Sequence, residues 1–239
     1  MEGIEICGVR VDLIGREAAV RKALEDVGES CVVFTPNALM LERCRRDAAL
    51  PPLFSHASLS LPDGVGVLWA ARRRGKHIPM RVAGIEFGEA LVREAARLGL
   101  RVFFLGGKEG IAARAAENMK RKYPSLCVAG THWGYFDMQG EENRRVLEQI
   151  RMGRTDILFV CFGFPLQERW ITENRGALTA VRVIAALGGS LDVWSGTLSR
   201  APRLLRGLGL EWAWRMAREP RRLKDCGALL RFFISPPKQ

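Results

Sequence analysis

The sequence predicts an α/β protein in which a parallel sheet carries helices on both faces and a basic helical appendage follows. Three observations carry that reading. Short apolar runs at residues 31–34, 58–61, 101–105, 127–129, 156–162 and 181–187 alternate with segments of helical apolar spacing, the order that strands joined by right-handed crossover helices require. Several of the runs are apolar at consecutive positions, as strands buried on both faces are. Of the net charge of +11, a share of +7 falls in residues 200–239, with ten Lys or Arg against Glu211, Glu219 and Asp225. That shift divides the chain into a domain of residues 1–199 and an appendage of residues 200–239.

Taken in order, residues 4–13 are two short apolar stretches around Gly8, the pattern of a hairpin. Helical spacing over 17–27 leads to the strand at 31–34, which stops at Thr35-Pro36-Asn37 before a helix at 38–45. The run 58–61 breaks at Pro62-Asp63-Gly64, and Val67, Leu68 and Ala71 then share a helix face. The loop from Pro79 through Arg81 to Gly84 precedes an amphipathic helix at 85–98. A strand at 101–105 ends in Gly106-Gly107-Lys108-Glu109-Gly110, and the helix after it is stopped by Tyr123-Pro124. A short strand at 127–129 leads to Thr131-His132-Trp133-Gly134-Tyr135-Phe136, with a helix at 141–151. The strand at 156–162 ends in Gly163-Phe164-Pro165-Leu166-Gln167-Glu168 and a helix through Trp170, and the run 181–187 ends in Gly188-Gly189-Ser190. In the appendage Leu204, Leu208, Trp212 and Met216 recur every four residues, the spacing of one apolar helix stripe, while Arg215, Arg218 and Arg222 share another face.

Composition bounds the function. At 239 residues, 48% hydrophobic and 26% charged, the chain is long enough for one sizeable core. Its apolar stretches are far shorter than the roughly 20 residues a membrane-spanning helix needs. The acidic start, Met-Glu-Gly-Ile-Glu, lacks the features of a secretory signal, so a cytoplasmic protein is expected. Six cysteines without a C-x-x-C pair read as reduced core residues, and His56, His77 and His132 lack metal-ligand spacing, so no metal site is expected.

The topology has a chemical consequence. Ligands of open α/β sheets bind outside the carboxyl ends of the strands, so Thr35, Asn37, Asp63, Gly106, Gly107, Gly163, Gln167, Gly188, Gly189 and Asp192 should collect along one edge. Gly-rich turns there let backbone N–H groups approach a phosphate at a helix N-terminus. The familiar fingerprints are not met. Trp69 stands where the Gly64-x-Gly66 pattern of a dinucleotide site wants a third Gly, and Gly106 to Gly110 lacks the Gly-Lys-Ser/Thr ending of a P-loop. No Asp-x-Asp pair exists to hold a divalent ion on a diphosphate, which leaves Arg side chains and helix N-termini for that task. Each candidate also has a plain structural reading: Asp63, Thr35 and Asn37 as helix caps, Gln167 as an exposed helix-start amide, and Trp133, Tyr135 and Trp170 as core.

The stretches Thr35-Pro36-Asn37, Pro62-Asp63-Gly64-x-Gly66, Arg81-Val-Ala-Gly84, Val102-Phe-Phe-Leu-Gly-Gly107, Gly134-Tyr-Phe136, Gly163-Phe-Pro-Leu-Gln-Glu168, Gly188-Gly-Ser-Leu-Asp192, Arg200-Ala-Pro202 and Gly209-Leu-Glu-Trp212 together resemble the WecG/TagA/CpsF glycosyltransferases over nearly the whole chain. The resemblance implies a Rossmann-like fold and an inverting, metal-independent transfer of an N-acetylmannosamine-type sugar from a UDP donor. The acceptor it implies is undecaprenyl-diphosphate-linked N-acetylglucosamine, in the synthesis of wall teichoic acid or a related surface polysaccharide. By position, Asp63 matches the proposed general base, Thr35 and Asn37 match groups contacting donor sugar or acceptor, and Gln167 belongs to the Pro-x-Gln-Glu motif. Arg81, Gly106, Gly107, Gly188, Gly189 and Asp192 complete the expected substrate site. The match carries Phe164 where small residues are frequent. The appendage is expected to close over the site, bringing Arg215, Arg218 or Arg222 to the donor diphosphate.

The basic appendage implies an anionic partner. Leu229, Leu230, Phe232, Phe233 and Ile234 crowd beside Arg231, as expected of an amphipathic anchor on the inner face of an anionic membrane. A nucleic-acid-binding protein and a nicotinamide-dependent oxidoreductase are the competing classes, and neither has its signature motif here. A related UDP sugar, such as N-acetylmannosaminuronic acid, is the alternative donor, and a homo-oligomer is left open.

Overall fold

The computed structural model describes residues 2–25, 30–207, 209–218 and 226–234. A hairpin, β1 (Gly3–Ile6) and β2 (Val9–Asp12), opens the chain, and its turn places Cys7 and Gly8 at φ 54° and 74°. Two successive positive φ values suit the right-handed twist of the strands they join. Six parallel strands follow: β3 (Cys31–Phe34), β4 (Leu59–Ser60), β5 (Arg101–Gly106), β6 (Cys127–His132), β7 (Ile157–Cys161) and β8 (Val183–Ala186). Their order across the sheet is β4-β3-β8-β7-β5-β6, and every pairing is parallel. The predicted α/β architecture is therefore the observed one.

Helices cover both faces. The first layer contains α2 (Ala38–Arg46), α3 (Val65–Arg73), α6 (Glu141–Met152) and α7 (Leu166–Asn174), which pack Leu41, Val67, Val146 and Trp170 against one side of the sheet. The second contains α1 (Arg16–Glu25), α4 (Gly84–Leu98), α5 (Ile111–Lys122) and α8 (Ser190–Trp194), which pack Val20, Phe87, Ala115 and Leu191 against the other. Strands β3, β7 and β8, central or near-central, are buried at every residue, which explains their unbroken apolar sequence. β6, at one edge, has no fully buried residue. At the other edge β4 is capped by the hairpin, where buried Asp12 accepts a hydrogen bond from the Ser60 backbone N–H at 2.8 Å. A side chain thus occupies a backbone donor that would otherwise stand open to another strand.

The appendage departs from the single apolar stripe expected of it. Among the described residues it forms three helices, α9 (Arg203–Gly207), α10 (Glu211–Arg218) and α11 (Cys226–Ile234). Gly209, at φ 73°, breaks the first pair, so Leu204 and Trp212 lie on different helices; Leu208 and the side chain of Met216 lie outside the described residues. α11 packs against α2, with Phe232 fully buried and Trp69 of α3 against Phe232 and Phe233 at ring distances of 6.1 and 5.0 Å. Among the described residues, no helix is long and apolar enough to cross a membrane. Cys31, Cys44 and Cys161 are buried as expected, and burial pushes the Cys44 thiol up to about 12; Cys127 and Cys226 are exposed, contrary to a core reading.

Candidate functional site

Adjacent strands send the chain to opposite faces: β3 and β7 lead into α2 and α7 on one side, whereas β8, between them, leads into α8 on the other. The carboxyl ends of β3, β8 and β7 therefore open into a crevice. A cavity of about 770 Å³ fills it, within the usual range for small-molecule sites. Thr35, Asn37, Asp63, Arg81, Gly163, Gln167, Gly188 and Gly189 all line it, so eight of the expected positions meet in one place.

Thr35 follows β3, is buried, and donates from Oγ1 to the Ala186 carbonyl of β8 at 3.1 Å. Asn37 is the N-cap of α2: its Oδ1 accepts from the Leu39 and Met40 N–H groups, both at 3.1 Å. The capping role is thus real for Asn37, and its side-chain NH2 takes no part in the cap. Asp63 is different. The N-cap of α3 is Gly64, at φ 93°, with no side-chain cap bond, so Asp63 is half-buried in the cavity wall without capping the helix. Its backbone N–H donates to the Pro36 carbonyl at 3.1 Å, tying the two strand-end turns together.

Gln167 is buried rather than exposed. Its Oε1 accepts from the N–H groups of Gly163 at 3.2 Å and Gly188 at 3.0 Å, and its Nε2 donates to Glu168 Oε1 at 2.9 Å. Arg81 stands 3.6 Å from Glu211 of α10, which also lies 3.7 Å from Arg200. Arg200, Arg206 and Arg16 surround Glu86 of α4, so ion pairs join the start of the appendage to the rim of the cavity. The last helix adds Leu229, Leu230 and Phe233 to the lining, beside Trp212 of α10.

Three expected residues stand apart from the cavity. Gly106 and Gly107, at the end of β5, are absent from its lining. Gly106 has φ 137°, and a Cβ there would lie 2.4 Å from the Cys161 carbonyl oxygen, so close packing of β5 on β7 already requires glycine. Asp192 lies in the first turn of α8, with a carboxylate oxygen 3.6 Å from where a Gly189 Cβ would stand, behind the cavity-lining turn. Arg222 lies outside the described residues, as do the side chains of Arg215 and Arg218. Trp170 is core, donating to Asn143 at 2.7 Å, whereas Trp133 and Tyr135 are exposed.

The sequence reading missed Arg43, Ser190 and Glu211. Arg43 of α2 lines the cavity, donates to the Phe164 carbonyl at 3.3 Å and lies 5.0 Å over the Phe164 ring. Nothing in its local sequence separates it from other helix-surface arginines. Glu211 did carry a signal, since it stands inside Gly209-Leu-Glu-Trp212.

Comparisons with known proteins identify the family. The family described as "Glycosyl transferase WecG/TagA/CpsF family" matches residues 4–235. The curated relatives that it is similar to include three that carry the name N-acetylglucosaminyldiphosphoundecaprenol N-acetyl-beta-D-mannosaminyltransferase. The one from Bacillus spizizenii is 32% identical over 197 residues, covering 82% of this chain and 75% of the relative. The Staphylococcus aureus one is 30% identical, covering 80% and 73%, and the Bacillus subtilis one 29%, covering 87% and 79%. By a match spanning almost its full length, this chain belongs to the WecG/TagA/CpsF glycosyltransferase family.

Proposed function

We propose that the protein moves N-acetylmannosamine from UDP-N-acetylmannosamine to N-acetylglucosamine carried on undecaprenyl diphosphate, with inversion and without a metal ion. The observation that carries this is the strand-end cavity, which gathers the Asp63 carboxylate, Arg81 and three polar side chains, Thr35, Asn37 and Gln167, in a chain of this family. Asp63 takes the proton from the acceptor hydroxyl as its oxygen bonds to the anomeric carbon. The bond from that carbon to UDP breaks on the opposite face, and the electron pair leaves with the diphosphate. Arg81 and the N-terminus of α4, which lines the cavity at Ala83 and Gly84, stabilise the departing charge.

The acceptor is a lipid, and the appendage suits a surface where lipids are found. Leu204, Leu210, Trp212, Leu230, Phe233 and Ile234 are exposed on it, in the most basic part of the chain. Each Lys or Arg near an anionic leaflet contributes about 1 kcal/mol, so several together hold the protein reversibly on the inner face of the cell membrane.

The test is transfer of sugar from UDP-N-acetylmannosamine to a short-chain diphosphate-linked N-acetylglucosamine acceptor in EDTA, with UDP binding followed by calorimetry. Product with inverted anomeric configuration and UDP binding that survives chelation are expected. Binding that vanishes in EDTA and returns with magnesium or manganese refutes the metal-free mechanism, and absence of product refutes the substrate assignment.

A further inference from the structure

Gln167 and Glu168 are consecutive at the start of α7, and their hydrogen bonds run in one direction. Two backbone N–H groups, from Gly163 after β7 and Gly188 after β8, converge on Gln167 Oε1. This fixes the amide: turned end for end, it would set an NH2 group against two other donors. Its Nε2 then donates to Glu168 Oε1. Glu168 is completely buried, and its Oε2 has no hydrogen-bond partner among the described residues.

The charged and titratable surroundings of Glu168 leave its carboxyl without an ion pair among the described residues. From α2, Arg43 and Cys44 face it; the Arg43 guanidinium is committed to the Phe164 carbonyl and ring, and the Cys44 thiol is held protonated by burial. The turn at Pro51–Phe54, packed on α7, has no ionisable side chain, and neither does β8. The ionisable side chain of β7, Cys161, packs on the opposite face of the sheet, and Arg175 beyond α7 is engaged with His56 at 3.3 Å. Desolvation dominates, pushing the Glu168 carboxyl up to about 7.

We propose that Glu168 is a positioning residue that acts as a neutral carboxylic acid: it locks the Gln167 amide, and through that amide it holds together the Gly163 and Gly188 turns that line the cavity. Ionisation of Glu168 places an uncompensated charge between α7 and α2 and loosens both turns. The proposal rests on the glycosyltransferase reading of the cavity for its kinetic consequence, but not for its structural one.

The experiment compares wild type, E168Q and E168L from about pH 6 to about pH 8.5, measuring kcat and KM for sugar transfer together with amide exchange at Gly163 and Gly188. In the wild type kcat falls roughly tenfold or more across this range, because the neutral form gives way through a midpoint near 7. E168Q keeps the acceptor oxygen and cannot ionise, so its ratio of kcat at the two pH values is near one, and both glycine amides stay protected throughout. E168L lacks the acceptor, loses protection at both amides and loses kcat at every pH, with circular dichroism reporting whether it remains folded. An alkaline limb in E168Q identical to that of the wild type overturns the proposal. So does equal protection of the two amides in E168Q and in a folded E168L; if E168L does not fold, loss of that protection in wild type at high pH but not in E168Q decides the matter in favour, and its absence decides against. An inactive wild type that shows the expected exchange pattern refutes the substrate assignment and supports the role of Glu168.

Discussion

Asp63 shows how a residue and its position combine. On local pattern an Asp at a strand-to-helix junction is a common helix cap. Here Gly64 takes the cap position at φ 93° and leaves Asp63 in the cavity wall, the position from which the proposed mechanism has it act as a base. Asp63→Asn is therefore expected to retain UDP binding while lowering kcat by roughly 10²- to 10⁴-fold, the usual contribution of a positioned general base. Turnover near the wild-type rate removes Asp63 from the mechanism. A drop in thermal stability without a specific kinetic defect would return it to a structural role. Asn37 and Gln167 were legible in sequence as residues of the strand-end turns, but their partners were not. Asn37 caps its own helix through neighbours two and three residues away, whereas Gln167 bonds a glycine 21 residues further on, which only the folded sheet brings near.

At the scale of elements, the alternation of strand and helix was readable because the central strands are buried on both faces and the longer helices on one. The last helix was harder. Its crowded apolar residues, 229–234, read as one membrane-facing surface, yet α11 divides them. Phe232 is fully buried against α2 and α3, Leu229, Leu230 and Phe233 line the cavity, and Ile234 is exposed away from it. A helix of nine residues shows only two or three positions on each face, too few for the sequence to announce which face meets protein and which meets solvent or lipid. Gly66 makes the docking close: a Cβ there would stand 2.7 Å from Ala38 Cβ and 3.3 Å from the Phe233 ring. Phe232→Ala is expected to destabilise the protein by about 3–5 kcal/mol in chemical denaturation, the cost of emptying a buried aromatic site. A loss below about 1 kcal/mol would mean that α11 is not seated on the core in solution.

At the scale of the whole molecule, the appendage is the most basic part of the chain and carries exposed apolar residues, the basis of the proposed membrane docking. Among the described residues of the tail helices, Leu204 and Ile234 are the most exposed large apolar side chains, at 78% and 69%, and neither lines the cavity. Replacing both with Glu is expected to reduce co-sedimentation with anionic vesicles strongly while transfer to a soluble, short-chain acceptor continues; unchanged sedimentation would show that this face does not dock. The sequence by itself determined the order of elements, the polar and glycine turns that end the strands, and the charge of the tail, because these follow from local periodicity, turn chemistry and composition. Only the tertiary structure decided which turns meet. The last strand in sequence, β8, lies beside β3, pairing Cys31 with Val183, so Gly188 and Gln167 reach Thr35 and Asp63. β5 lies three strands from β3, roughly 14 Å at ordinary strand spacing, which sets the Gly106-Gly107 turn away from that cavity although its sequence resembles the turns within it. Strand order depends on long-range pairing between segments with interchangeable apolar runs, and no local pattern in the chain encodes it.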